Sequence, residues 1–159
     1  MPIKITEINV DEIIESALQQ IMGFILGKKL TLNKFLNLKK INTDKYLLLR
    51  VINNLLSNAI KVSPKGSEII IRTLNSGEDG LEFHVIDHGP GFNEEMKKLI
   101  FKKYNIAEIK KKIRKQGSGL GLIFCKKAIG VLGGTIRVKD DVDAGADIIF
   151  TLPKCELLL

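Results

Sequence analysis

Apolar residues recur every three or four positions in two stretches of the first half of the chain, and this spacing predicts two long helices. The first is expected to have Asp11 as its N-cap and to end near Gly27. The second is expected to have Thr43 or Asp44 as its N-cap and to end at "SPKG". This second helix has a wide apolar stripe, with polar residues left on its other side.

Two more helices are predicted in the second half of the chain. Asn93 is expected to cap a short helix that ends near "FKKY". The stretch "IFCKKAIGVL" has the periodicity of a third long helix, which the pair Gly133 and Gly134 ends.

Alternating apolar and polar residues predict strands between the helices. These are a short N-terminal strand in "IKITEINV", a candidate in "KLTLN", a hairpin of "EIIIRTLN" and "LEFHVID", and a closing hairpin of "TIRVKD" and "DIIFTLP". Helices that alternate with hairpins predict a two-layer α/β sandwich. Its sheet is expected to be mixed, mostly antiparallel and covered on one face by about three helices.

The length of 159 residues and the hydrophobic fraction of 45% fit one domain, residues 1–159, with its own core. The N-terminal segment has acidic residues and no unbroken apolar run, so neither a signal peptide nor a membrane segment is predicted. We expect a soluble, cytoplasmic fragment. Cys125 and Cys155 form no CxxC pair, which argues against a metal site or a disulfide framework.

The net charge of +7 indicates an anionic partner but does not say whether it is a nucleotide, a nucleic acid, an acidic protein face or a membrane. A narrower indication comes from "GSGLGL", which places glycines at alternate positions just before the third long helix. Such a loop can make a tight turn, or it can bring backbone N–H groups close to an anion at a helix N-terminus. The loop alone leaves both readings open.

Two polar features sit beside the predicted core. Asn54, Asn58 and Lys61 are spaced to share one side of the second helix, where an amide oxygen can ligate Mg²⁺ and a lysine can neutralise a phosphate. Asp87 ends a strand just before Gly89 and Gly91, where its carboxylate can accept a hydrogen bond from the amine of adenine. The alternatives are a solvated helix face and an ordinary Asp/Gly turn.

Taken together and in order, "NNLLSNAIKVSPKG", "VIDHGPGF", "IFKKY" and "GSGLGLIFCKKAIGVLGGTIRV" resemble the N, G1, F and G2 boxes of the ATP-binding domain of sensor histidine kinases. This domain has the Bergerat fold and belongs to the wider GHKL superfamily, with gyrase, the Hsp90 chaperones and MutL. The resemblance runs from the first helix to "FTLP". It implies a domain that binds Mg–ATP beneath a mobile lid, here at about residues 93–116.

The resemblance also implies roles for single residues. Asn58 would ligate Mg²⁺, Asn54 would bind near the phosphates or the water around the metal, and Lys61 would support phosphate charge. Asp87 would bind the adenine amine. The remaining positions would form the pocket floor and the phosphate loop: Gly89, Gly91, Gly117, Gly119, Leu120 and Gly121.

In the F box, Lys102 or Lys103 would supply phosphate charge, because Ile106 stands where a basic residue is often found. Phe101 and Tyr104 would pack the lid. Two other departures are Val62, where relatives often have an aromatic residue against adenine, and Ala146, where a hydroxyl residue is common.

Position 54 separates the branches of the superfamily. Hydrolysing members have a glutamate there as a general base, and an amide such as Asn54 cannot fill that role. The resemblance therefore implies a histidine protein kinase domain that transfers the γ-phosphoryl group to a histidine and hydrolyses ATP slowly.

An acceptor histidine on a helical hairpin is not found in this sequence. His84 lies in a predicted strand and His88 in a glycine turn, so both are expected to be structural or exposed. The chain is interpreted as an isolated catalytic domain whose partner is a histidine-bearing dimerisation domain, with a response regulator downstream. The parent protein could be a membrane-anchored receptor with this part in the cytoplasm.

Two alternatives stay open at this point. One is a sensing or interaction module of the same superfamily that binds ATP without transferring it. The other is a basic nucleic-acid binder using the lysines of "KKYNIAEIKKKIRKQ", which the scarcity of interleaved aromatic residues argues against.

Overall fold

The computed structural model describes residues 2–37, 40–77, 80–101, 120–139 and 145–154. Within these ranges, a layer of helices packs on one face of a five-stranded sheet around one hydrophobic core. The elements are β1 (Ile5–Asn9), α1 (Val10–Gly27), β2 (Thr31–Leu36), β3 (Lys40–Asp44), α2 (Lys45–Val62), β4 (Glu68–Ser76), β5 (Gly80–Asp87), α3 (Glu94–Phe101), α4 (Leu120–Val131), β6 (Thr135–Val138) and β7 (Ala146–Leu152).

The main sheet has the strand order β2-β4-β5-β7-β6. Only β2 and β4 run parallel, and the other three neighbouring pairs are antiparallel. This confirms the predicted mixed, mostly antiparallel sheet and both predicted hairpins. β1 and β3 pair separately as an antiparallel ribbon that places Ile8 opposite Ile41.

Strand β3 was not predicted from the sequence. Its five residues include one apolar side chain, Ile41, so the alternation that identifies a strand is almost absent. The strand exists because it pairs with β1, which lies far away in sequence. It leads directly into α2, whose N-cap is Asp44: the carboxylate accepts a hydrogen bond from the N–H of Leu47 at 3.0 Å.

The predicted cap of α1 was wrong by two residues. The N-cap is Asn9, whose side-chain oxygen accepts from the N–H of Asp11 at 2.9 Å and of Glu12 at 3.4 Å. Because β1 runs into the helix without a loop, the cap is the last residue of the strand. Asp11 and Glu12 instead lie in the first turn, where their negative charge suits the helix dipole.

The core is formed by the alternate residues of the central strands and the apolar stripe of α2. The rings of Phe83 in β5 and Phe150 in β7 stack with centroids 4.9 Å apart. α2 packs against both α1 and α4 and buries seven residues: Leu48, Val51, Ile52, Leu55, Leu56, Ala59 and Ile60. The central helix is therefore fixed on three sides, and its remaining side is free for polar residues.

Cys125, for which no metal site or disulfide was expected, and His84, which was expected to be structural or exposed, are both buried. Cys125 in α4 donates to the carbonyl of Val51 at 3.6 Å, and burial raises the pKa of its thiol to about 12. His84 follows the core residue Phe83 in its strand and so faces the other side of the sheet. There its Nδ1 lies 3.0 Å from Asp147 and its Nε2 lies 2.9 Å from Glu82.

Across the described ranges, no helix combines the length and the apolar character needed to cross a bilayer.

A lysine holds the C-terminal end of α2. The ammonium group of Lys28 donates to the carbonyls of Ile60 at 2.8 Å, Lys61 at 3.1 Å and Ser63 at 2.6 Å. The last carbonyls of a helix lack intrahelical partners and carry the negative end of its dipole. Lys28 therefore ties the end of α1 to the end of α2.

Replacing Lys28 with methionine should lower the free energy of unfolding by about 1–3 kcal/mol, because the apolar stem is kept while three carbonyls lose a charged donor. Urea denaturation would measure the change. Lys65→Met, which removes an exposed charge from the turn after α2, serves as the control. Equal stability of the two variants would contradict the capping role.

Candidate functional site

The three polar residues predicted on the second helix lie on α2 as expected. Asn54, Asn58 and Lys61 fall within one unbroken helix, and none belongs to its buried stripe. Asn54 and Asn58 are partly buried, whereas Lys61 is exposed. Lys61 also borders a groove of about 270 Å³ between α1 and α2, whose other lining residues are Ile21, Phe24, Ser57 and Ile60. Its side chain thus stands at the boundary between the polar face and this groove.

Asp87 ends the central strand β5, and its side chain is almost completely buried, with 1% exposed. The carboxylate accepts hydrogen bonds from the backbone N–H of Gly89 at 2.8 Å and from that of Ala146. Burial raises the pKa of the Asp87 carboxyl, and the two N–H groups and the nearby His88 only partly offset this effect. The site therefore holds a desolvated acid with two backbone donors and acceptor capacity to spare.

Glycines bring three segments together around Asp87. A side chain at Gly89 would place its Cβ 2.7 Å from the carbonyl oxygen of Val62, the last residue of α2. At Gly91, where φ is +75°, a Cβ would lie 2.7 Å from the carbonyl oxygen of Gly145. The turn after β5 is consequently packed against the end of α2 and the start of β7, with no room for larger residues.

Gly145 was missed by the sequence analysis. Its φ is +89°, and a Cβ there would lie 2.0 Å from the carbonyl oxygen of Asp87. The glycine in "DAGAD" was a visible signal for a turn, but nothing local connects it with a residue 58 positions earlier. Ala146, noted for its missing hydroxyl, contributes through its backbone N–H instead.

At its other end, the polar face of α2 meets the N-terminus of α4. The amide nitrogen of Asn54 donates to the carbonyl of Arg50 at 2.9 Å. Its amide oxygen lies 2.9 Å from the place where a Cβ on Gly121 would be, so a larger residue would collide with it. Gly121 and Leu120 thus form the first turn of α4 beside Asn54.

These contacts define one continuous surface. Val62, beside Gly89, and Asn54, beside Gly121, are eight residues apart on α2, which is about 12 Å along the axis. Asn58 lies between them. The structure therefore places the turn of Asp87 and Gly89 at one end of this face and Gly121 beside Asn54 further along it, with Gly91 behind the Asp87 turn. That these residues bind a nucleotide stays a prediction.

Four predicted nucleotide-binding residues lie outside the described ranges: Lys103, Tyr104, Gly117 and Gly119. Of the predicted lid at about residues 93–116, only the part up to 101 is described, and α3 confirms the short helix expected after Asn93. His88, next to Asp87, is exposed, and its Nε2 lies 4.0 Å from a carboxylate oxygen of Glu68.

The sequence is similar to known proteins over most of its length. The family model described as histidine kinase-, DNA gyrase B-, and HSP90-like ATPase matches residues 43–156. The sensor protein KdpD of Clostridium acetobutylicum is 32% identical over 91% of this chain and 16% of its own length. The adaptive-response sensory kinase SasA of Rippkaea orientalis is 36% identical over 80% of this chain and 33% of its own length.

Among solved structures, the nucleotide-free catalytic domain of the histidine kinase ThkA superposes with a TM-score of 0.79 at 25% identity. That comparison covers 95% of this chain and 97% of the ThkA domain. The chain thus matches a whole catalytic domain, whereas it spans from about a sixth to a third of the two curated relatives.

The raised pKa of Asp87 gives a prediction for the pH dependence of stability. Between the ordinary carboxyl pKa of 3.8 and the raised native value, the folded state binds more protons than the unfolded state. The contribution of Asp87 to stability is therefore present at acidic pH and is lost as the pH rises through the native pKa.

Asp87→Asn should remove this loss, so that the ligand-free variant is more stable than the wild type at neutral pH and equally stable near pH 4. Urea unfolding at several pH values would measure the difference. Asp11→Asn, at the start of α1, provides the same chemical change outside the site. A constant offset between Asp87→Asn and wild type at every pH would refute the prediction.

Proposed function

The chain belongs to the family of histidine kinase-, DNA gyrase B- and HSP90-like ATPases, and from this premise we propose that it binds Mg–ATP and donates the γ-phosphoryl group to a histidine on a partner dimerisation domain. One observation carries the proposal. Gly89, two residues after the buried Asp87, packs against Val62 at the end of the helix that bears the asparagines. Base recognition and phosphate binding then share one surface. In this proposal, residues 1–159 form one cytoplasmic catalytic domain with its lid at about residues 93–116.

Asp87 is suited to bind the amine of adenine. An ionised carboxylate has about four lone-pair positions, and the N–H groups of Gly89 and Ala146 occupy two of them. Because the Asp87 carboxylate is buried beside the glycine turn, it can accept a hydrogen bond from the adenine amine in a contact that excludes water. Val62, at the end of α2, offers a small apolar surface there in place of an aromatic ring.

Asn58 would provide the amide oxygen for Mg²⁺. Asn54 lies one helical turn before it on α2 and would be nearer the terminal phosphate. The described residues contain no group of three His, Cys, Asp or Glu side chains able to hold a metal. A neutral amide on the polar face fits Mg²⁺, which often takes one or two protein ligands and completes its shell with substrate phosphates and water. When bound, Mg²⁺ neutralises charge on the triphosphate.

The local geometry at position 54 favours transfer over hydrolysis. The amide of Asn54 gives a hydrogen to the carbonyl of Arg50 and turns its oxygen towards the first turn of α4. It cannot take a proton from water as a carboxylate would. The attacking group must then come from elsewhere, and a histidine supplied by a partner meets that need.

The histidines of this chain do not serve as the acceptor in this proposal. His84 is 7% exposed and lies between two carboxylates on the far side of the sheet, and His88 lies in the turn after β5. The acceptor would belong to a dimerisation domain, in the same parent protein or a separate one. A response regulator would receive the phosphoryl group afterwards.

Asp87→Asn should weaken binding of an ATP analogue by about 10- to 100-fold, the loss expected for one buried charge-assisted hydrogen bond. Isothermal titration calorimetry in the presence of Mg²⁺ would measure the affinity, with Asp11→Asn as the control. Unchanged affinity would remove Asp87 from the binding site.

Asn58→Ala should reduce phosphoryl transfer to a separately supplied histidine-bearing domain by about 100-fold or more, since charge neutralisation at the phosphates would be lost. Asn53→Ala tests the same truncation on the side of α2 where Asn53 contacts Gln20. Radiolabel transfer from ATP is the readout. Full transfer by Asn58→Ala would refute its role, and ATP binding by the wild type without any transfer would identify a sensing module instead.

A further inference from the structure

We propose that Arg50 binds the γ-phosphate of the nucleotide, a role that rests on the proposed function. Arg50 precedes Asn54 by one turn of α2 and Asn58 by two. Residues at this spacing lie along one helix face, so Arg50 extends the polar face beyond the two asparagines. None of the sequence motifs singled out this position.

The guanidinium of Arg50 is held by a ring. Its central carbon lies 4.1 Å from the centroid of Phe124, on the first half of α4. Phe124 follows Gly121 by three residues, and Gly121 is the residue whose backbone meets the side chain of Asn54. The cation is thereby positioned about one helical turn from the N-terminus of α4, on the side that faces α2.

Among the residues that the structure describes, none uses the hydrogen-bonding capacity of this cation. Arg50 is exposed, and within the described ranges its side chain makes no ion pair and no hydrogen bond. A guanidinium that lies over a ring face can still donate N–H groups to an anion, and their fork geometry matches the oxygens of a phosphate. Arg50 is therefore a prepositioned cation that has no anionic partner in the described part of the chain.

The order of residues along the surface assigns this cation to the last phosphate. Starting from the Asp87 turn at Val62, the polar face passes Asn58, then Asn54 with Gly121, and then Arg50 with Phe124. Successive steps are about 6 Å along the helix. If the base lies at Asp87, the γ-phosphate is the part of the ligand that approaches Arg50, while the α- and β-phosphates lie nearer Asn58.

This placement gives an expectation that a merely structural arginine would not produce. ADP has no γ-phosphate, so Arg50 should contribute to the binding of ATP analogues and not to the binding of ADP. In Arg50→Gln, affinity for a non-hydrolysable ATP analogue with Mg²⁺ should fall by about 10-fold or more, and affinity for ADP should stay the same.

Two further variants separate charge from geometry. Arg50→Lys keeps the positive charge but lacks the planar fork, and Phe124→Leu keeps Arg50 but removes the ring beneath it. Both variants should lose less affinity for the ATP analogue, relative to ADP, than Arg50→Gln does. Arg137→Gln on β6, a similarly exposed arginine, should change neither affinity. Calorimetry gives all affinities, and thermal unfolding checks that each variant is folded.

The outcomes keep the two proposals apart. The role of Arg50 would be overturned if the wild type binds both nucleotides and Arg50→Gln leaves both affinities unchanged or lowers both equally. The proposed function would still stand in that case. A wild-type protein that binds neither nucleotide would overturn the proposed function, and the role of Arg50 with it.

Discussion

The buried carboxylate of Asp87 is the constraint around which this structure is arranged. It is almost completely removed from water at the point where β5, β7 and the end of α2 meet. Two backbone N–H groups are its hydrogen-bond partners, but they only partly offset the cost of burying the charge. The pKa of the carboxyl therefore stays raised. The glycines at 89, 91 and 145 follow from the same requirement, since only they allow the three segments to approach this closely.

The central helix α2 forms part of the hydrophobic core and also carries part of the candidate site. One side of α2 is buried in the core, and the opposite side carries the asparagines and Arg50. A change that shifts α2 in the core therefore moves the polar face as well. Lys28 fixes the end next to Asp87, and the contacts of Arg50 and Asn54 with α4 fix the other end. Rigidity of this kind suits a reaction that depends on positioning.

The sequence predicted the features that depend on local pattern, and these include most of the fold. Helical periodicity identified α1, α2 and α4, and alternation identified both hairpins, because each signal lies within one segment. The sequence also placed Asp87 at the end of β5 and the two asparagines on α2, because motif and element coincide there, while their role in binding stays a prediction. What the sequence did not reveal depends on contacts between distant segments: the pairing of β3 with β1, the approach of Gly145 to Asp87, and the position of the Arg50 guanidinium over the ring of Phe124. The cap at Asn9 was missed because the strand continues directly into the helix.

The distribution of charge along α2 sets the direction in which a nucleotide can bind. At one end stands a buried acid, which would repel a phosphate and accept a hydrogen bond from a base. At the other end, the N-terminus of α4 presents the positive end of its dipole next to neutral Asn54 and the cation of Arg50. A triphosphate bound in the reverse direction would bury its charge against Asp87 and leave Arg50 without a partner. Under the proposed function, this surface favours one orientation of the nucleotide, in which the terminal phosphate points away from the end of β5 at Asp87 and towards the end of α2 at Arg50.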